Sequence, residues 1–216
     1  MKILSIDTSS KVCSVAVLED NNVIVKKDIS DEKTHSQKLM PMIDEVLKSC
    51  KLELKDFDLY ACCTGPGSFT GVRIGVATVK AFNDVTKVPI SSVSSLESLA
   101  YNTLDSEFSS KADLVCSIID AKNDNVYYGL FEKYGENFAI KEKQSAKNID
   151  EMIETLKNYY SSPILFIGDG TNIHKGKILQ SFSNAIFVED NYNVQTAVSV
   201  GKAGFYHYQQ GLVRWF

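Results

Sequence analysis

Apolar and polar positions alternate from the start of the chain and then change period, dividing the opening into strands followed by a helix. Ile3 to Ile6 reads as a short strand closed by Asp7, with Thr8, Ser9 and Ser10 as a polar turn. Cys13 to Leu18 makes the return strand, Asp20 to Asn22 the next turn and Val23 to Ile29 a third strand, an antiparallel meander. From Ser36 to Cys50 the period is helical: Leu39, Met40, Met42, Ile43, Val46 and Leu47 cover a broad arc opposite Asp44, Glu45 and Lys48. Pro41 is expected to weaken the first turn of this helix.

A second change follows at the apolar run Leu59 to Cys63, a strand that leads into Thr64 to Gly75, TGPGSFTGVRIG. This stretch reads as a glycine hinge opening a helix. Gly65, Gly67 and Gly71 supply positive φ or room for another backbone to approach. Ser68 and Thr70 can cap the helix, whose free N–H groups would suit an anion. From Val72 to about Val85 the helix has only a narrow polar line, Arg73, Ala77, Lys80 and Asp84, so it is expected to be covered by its own sheet and by something else. Arg73 in the first turn opposes the helix dipole and is expected to meet a carboxylate, local or on a partner. Pro89 begins a short link, and Leu96 to Leu104 gives another helix.

The pattern then recurs. Ile119-Asp120 lies 113 residues after Ile6-Asp7, and a strand ends at Glu132 as the earlier one ends at Glu19. Ile149 to Leu156 is a helix and Ile164 to Ile167 a strand, and Gly168-Asp169-Gly170-Thr171 mirrors Gly65-Pro66-Gly67-Ser68 at a spacing of 103. A longer first connection, containing Ser30 to His35, absorbs the difference. The chain is read as two β-β-β-α-β-α lobes, 1–104 and 105–216, each with an acidic residue closing its first strand. That is the layout of a duplicated α/β fold of the actin-like ATPase (ribonuclease H-like) class.

With 216 residues and 44% apolar composition the chain can bury a substantial core. A net charge of −4 without a Lys/Arg run argues against unaided nucleic-acid binding. Five cysteines without CxxC spacing read as reduced thiols of a cytosolic protein. Neither a leader nor an apolar stretch of about 20 residues is seen, so membrane spanning lacks support.

The chemistry-bearing residues leave alternatives open. The hinge matches neither phosphate fingerprint: Thr70 stands where the third glycine of GxGxxG belongs, and no Gly-Lys-Ser/Thr follows. Asp7 with Thr8 could hold a metal-bound phosphate or could simply close a strand with an Asx turn, and Asp120 presents the same choice. His35 has Leu39 rather than a second histidine four residues on, and His174 and His207 lie apart, so no metal site is expected and all three read as surface histidines. Ser68 lacks the GxSxG elbow of a nucleophile.

ILSIDTSS, THSQKLMPMID, TGPGSFTGVRIG and IIDAKNDNVYYGLF together resemble the TsaB (YeaZ) family, the hinge being the most specific of the four. The resemblance implies a non-catalytic subunit in bacterial synthesis of threonylcarbamoyladenosine in tRNA. Such a subunit works with a metal-binding catalytic paralogue of TsaD type and a small ATPase of TsaE type, without a cofactor of its own. It implies docking through the first helix and the helix after the hinge, here Leu39, Met42, Ile43, Val46, Val72, Val76 and Val79, with homodimers forming on a similar surface and tRNA met only through the complex. Two features depart from the family pattern. Asp120-Ala121-Lys122 replaces Asp-Ala-Arg, giving up two-pronged pairing, and the tail ends Val213-Arg214-Trp215-Phe216. An actin-like ATPase or small-molecule kinase using Asp7, Asp120 and both hinges is the alternative.

Overall fold

The computed structural model describes residues 1–30 and 35–213. The Ser30 to His35 connection, Thr34 of the THSQKLMPMID stretch and the end of the tail fall wholly or partly outside them. The opening meander is present: β1 (Lys2–Asp7), β2 (Val12–Glu19) and β3 (Asn22–Ser30) pair antiparallel in turn. Helix α1 (His35–Cys50), strand β4 (Leu59–Cys63), helix α2 (Phe69–Thr86), strand β5 (Ile90–Val93) and helix α3 (Ser95–Asn102) follow. Pro41 sits inside α1 without ending it, on the exposed side.

The second run repeats the first: β6 (Leu114–Asp120), β7 (Asn125–Tyr134), β8 (Asn137–Asn148), α4 (Ile149–Leu156), β9 (Ile164–Ile167), α5 (Asp169–Ser181), β10 (Ile186–Phe187) and α6 (Ala197–Gln209). The sheet orders are β3-β2-β1-β4-β5 and β8-β7-β6-β9-β10, one topology used twice. In each, a meander is joined through its first strand to a parallel strand, as β1 to β4 and β6 to β9. Parallel neighbours require a crossover, which α1 and α4 supply.

Two compact units result, residues 1–98 with 195–216 and residues 99–194. The sequence reading assigns everything from 105 onward to a C-terminal lobe, whereas in the structure α6 packs on β1, β2, β4 and β5 of the first sheet. The reason is shape. A Cβ at Gly201 would fall 2.4 Å from Leu18 Cδ1 and one at Gly204 2.7 Å from Ala61 Cβ, so a face of glycines lets α6 lie close on small strand residues. Ser14 Oγ accepts from Ala197 N at 2.8 Å, binding the first turn of α6 to β2.

On the opposite face of the first sheet, α1 and α2 close a core of Leu4, Ile6, Val15, Val17, Tyr60 and Cys62 with Leu39, Met42, Ile43, Val46, Val79 and Phe82. The second sheet packs Cys116, Ile118, Tyr128 and Phe166 against Met152, Ile153 and Leu156 of α4 and Ile178 of α5. All five cysteines are free thiols. No helix among the described residues is long and apolar enough to cross a membrane.

Candidate functional site

The β1–β2 turn and the glycine hinge, 60 residues apart in the reading above, form one structure. Asp7 is fully buried and its Oδ1 accepts from both Ser9 N and Ser9 Oγ at 2.7 Å. Ser9 O in turn accepts from Ser68 N at 2.7 Å, and Thr8 Oγ1 donates to Gly71 O at 2.7 Å. Glycine is required where these chains meet: a Cβ at Gly71 would lie 1.9 Å from Thr8 O and one at Gly67 2.3 Å from Ser9 O. Gly65 adopts φ +92° ahead of a cis peptide to Pro66, and Ser68 Oγ accepts from Gly71 N as the N-cap of α2. Ser68 is thus occupied as a cap.

Burial raises the Asp7 carboxyl above its ordinary value, against the lowering effect of the Ser9 hydrogen bonds. Its second oxygen, Oδ2, is buried without a hydrogen-bond partner. Beside it, Cys63 Sγ lies 3.0 Å from Ser95 Oγ, and burial holds the Cys62 and Cys63 thiols in the protonated form. This set is a sealed polar cluster under the hinge. Asp120, the counterpart of Asp7, is partly exposed. Burial raises its carboxyl, but the backbone and ammonium of Lys122 outweigh that and leave it below the usual range. Lys122 Nζ donates to Asp120 Oδ2 at 2.5 Å, a single-pronged ion pair in place of the two-pronged pairing an arginine would allow. Asp120 N donates to Asp169 Oδ1 at 3.0 Å, tying the second turn to the second hinge.

The seven docking residues divide. Leu39, Met42, Ile43 and Val46 of α1 and Val79 of α2 are buried in their own core, because the apolar arc of α1 is the side that closes over β2 and β3. As docking residues these five are turned the wrong way, and a charge at Val79 would break the fold rather than an interface. Val72 and Val76 are half-buried, and Val76 lines a cleft of about 220 Å³ with Cys62, Thr64, Val79, Lys80, Ile90 and Ser92. The side of α2 turned to solvent instead carries Phe69, 69% exposed, Val85, 84% exposed, and the exposed Ala77 and Ala81, with Met40 exposed on α1. Periodicity set Met40 inside the apolar arc of α1, where the structure leaves it exposed, and gave no sign that Phe69 faces solvent.

Arg73 meets an aromatic ring. Its guanidinium carbon stands 3.7 Å from the centroid of Phe69, one helical turn back, and no carboxylate among the described residues pairs with it. The histidines are also placed differently from the surface reading. His35 and His174 are buried, and His35 Nε2 donates to Ser10 O at 2.9 Å. A carbonyl can only accept, so Nε2 carries a proton, while Nδ1 is buried without a hydrogen-bond partner. His207 Nδ1 lies 3.0 Å from Ser91 Oγ and Nε2 2.9 Å from Glu97 Oε1, a serine, histidine and carboxylate in line. Ser91 is fully buried under α6, so this line braces a helix and offers no reachable nucleophile. Its three members lie on β5, α3 and α6, too far apart in sequence for any spacing to reveal.

A duplicated sheet of this order, with an acidic residue ending the first strand of each half, defines a protein of the actin-like ATPase (ribonuclease H-like) fold. Solved structures agree on the fold. YeaZ from Pseudomonas aeruginosa superposes with a TM-score of 0.82 at 22% identity, over 99% of this chain and 95% of its own. The ROK hexokinase from Thermus thermophilus gives 0.60 at 7%, over 98% and 100%. Residues 24–211 match the family described as TsaD, tRNA N6-adenosine threonylcarbamoyltransferase. The tRNA threonylcarbamoyladenosine biosynthesis protein TsaB of Bacillus subtilis (strain 168) is 35% identical over 82% of this chain and 75% of its own length. The TsaB of Escherichia coli (strain K12) is 28% identical over 79% and 72%. The chain belongs to the TsaB (YeaZ) family.

Proposed function

We propose that this chain is the non-catalytic scaffold subunit required for transfer of threonylcarbamoyl from threonylcarbamoyl-adenylate to the tRNA adenosine next to the anticodon. Its partners are a metal-binding catalytic paralogue of TsaD type and a small ATPase of TsaE type. The observation that carries this reading is the 35% identity to a TsaB protein over most of the chain. Two features of α1 support a role without catalysis. Leu39 stands in the lobe core at the position where the family resemblance implies a second metal-binding histidine in the catalytic paralogue, and the one imidazole, His35, is committed to Ser10 O.

Docking falls on the outer side of α2 and the neighbouring part of α1: Met40, Phe69, Val72, Arg73, Val76, Ala77 and Val85. Solvated apolar side chains on one helix are the kind of surface that a partner buries. The chain pairs with itself over a similar surface when the paralogue is absent, meets tRNA only within the complex, and works in the cytoplasm. Co-expression with the TsaD-type paralogue and capture from cells tests this; recovery of the ATPase without the paralogue would overturn it.

The second reading, an actin-like ATPase or kinase, is favoured by the retained acidic ends of β1 and β6. Calorimetry with magnesium and ATP separates the two, since the scaffold reading expects no heat from the isolated chain.

A further inference from the structure

We propose that the Asp7–Ser10 turn, the place where an actin-like ATPase would hold phosphate, serves here as a clasp that positions α1 and α2 and thereby the face that docks the catalytic paralogue; this rests on the docking role proposed above. Three consecutive residues of the turn each bond a different element. Thr8 Oγ1 donates to Gly71 O in α2 at 2.7 Å, Ser9 O accepts from Ser68 N of the hinge at 2.7 Å, and Ser10 O accepts from His35 Nε2 at the start of α1 at 2.9 Å. Asp7 shapes the turn from beneath through its two bonds from Ser9. The side-chain oxygens of Thr8, Ser9 and Ser10 are all engaged within the protein, Ser10 Oγ accepting from Val12 N.

The clasp matters most at the N-terminal half of α2. The buried line of that helix runs Gly71, Gly75, Val79, Phe82 and Asn83, so its first two turns bury no side chain fully and reach the core only through the half-buried Ile74 and Val76. Hydrophobic burial scales with apolar area, and on this helix the fully buried apolar side chains begin at Val79. What fixes the first half is contact with the turn: Thr8 O and Ser9 O fill the space of absent Cβ atoms at Gly71 and Gly67, and Thr8 Oγ1 lies where a Cβ of Gly75 would come within 2.6 Å. Phe69 and Arg73 ride on this half. Loosening the clasp therefore moves the docking residues while Val79 and Phe82 keep the helix folded. α1 differs, since Leu39, Met42, Ile43 and Val46 hold it independently and the clasp governs only its first turn.

Thr8→Val removes one hydroxyl at nearly constant volume, and Thr8→Ser restores it. Hydrogen exchange read by amide, and affinity for the TsaD-type paralogue of the same organism, form the test. In Thr8→Val, exchange at residues 69–75 is expected to rise at least 10-fold with residues 79–83 unchanged, and affinity to fall at least 10-fold; Thr8→Ser returns both to wild type. Wild-type exchange in Thr8→Val, or faster exchange with unchanged affinity, overturns the clasp. Should Thr8→Val fail to fold, His35→Leu is measured the same way at residues 35–39, and unaltered exchange there overturns it equally. If the wild-type chain does not bind the paralogue, the docking reading fails with the positioning half of this proposal, and exchange alone then decides whether the turn holds the helices.

Discussion

In the first half of the chain the acidic residue that ends the leading strand is sealed beneath a turn fastened to the next hinge, while in the second half its counterpart is partly exposed and grips the exposed Lys122. The sheets are the same and the helices follow in the same order. What differs is the packing of loop on hinge. In the first half, Thr8 O and Ser9 O press on Gly71 and Gly67. In the second, the crowding comes from Ile118 within β6 rather than from the turn after Asp120: a Cβ at Gly168 would fall 2.2 Å from Ile118 O, and one at Gly170 2.6 Å from the Ile118 Cγ2 methyl with backbone no nearer than 3.2 Å. A duplicated fold can thus keep its strand order while one copy closes its ancestral loop, because strand order depends on the sheet and loop closure on a few side chains.

The largest effect separating the halves is expected at these glycines. Gly71→Ala drives a methyl into a carbonyl that cannot rotate away and should cost about 3 kcal/mol, near the upper end for overpacking. Gly170→Ala meets a side chain that can shift and gains helix propensity, so its cost should stay near 1 kcal/mol. Denaturant unfolding of both variants checks this, and equal losses would remove the distinction. Next, Phe69→Asp should weaken capture of the paralogue at least 10-fold, about 1.4 kcal/mol, without lowering the melting temperature. Ile173→Asp, on the exposed side of α5, should leave capture unchanged.

The two carboxylates should differ in the sign of their pH dependence. Asp7 is raised in the folded state, so its contribution to stability is fully present below its unfolded value near 3.8 and is lost as pH rises through the folded value. Asp7→Asn is therefore expected to melt higher than the wild type at pH 8, with the gap closing toward pH 3.5. Asp120 is lowered, so its contribution is present above the unfolded value and is lost as pH falls. Asp120→Asn should melt lower at pH 8, converging with the wild type in acid. Melting curves over this range decide both signs. Smallest of all, Lys122→Gln should move the carboxyl titration of Asp120 upward in NMR while leaving the melting temperature nearly unchanged, as an exposed partner implies.

Much of the fold was legible because strand and helix periods are local. The meander, α1, the hinge and the repeat at Asp120 all follow from apolar spacing, and TGPGSFTGVRIG carried the family. Helix α6 was not read at all. Its buried line, Ala197, Val200, Gly201, Ala203 and Gly204, contains two glycines that look like breakers until the sheet beneath supplies the close contact that requires them. The surface proposed for docking was half legible. An apolar arc says that a helix is buried, and Leu39, Met42, Ile43 and Val46 are, but it cannot say that the cover is the chain's own sheet. Arg73 looked in need of an acid because the dipole argument is local, and the ring of Phe69, one turn back, was an equally local answer.

By itself, then, the sequence determined most of the elements, their duplication and the family, since each depends on neighbours along the chain. Tertiary structure alone decided which faces remain free, where the histidines are buried and why the hinge needs its glycines. Those depend on residues such as Thr8 and Gly71, 63 positions apart, meeting at 2.7 Å. No spacing within an element records such a meeting, because the approach of two backbones is set by the sheet that carries them both.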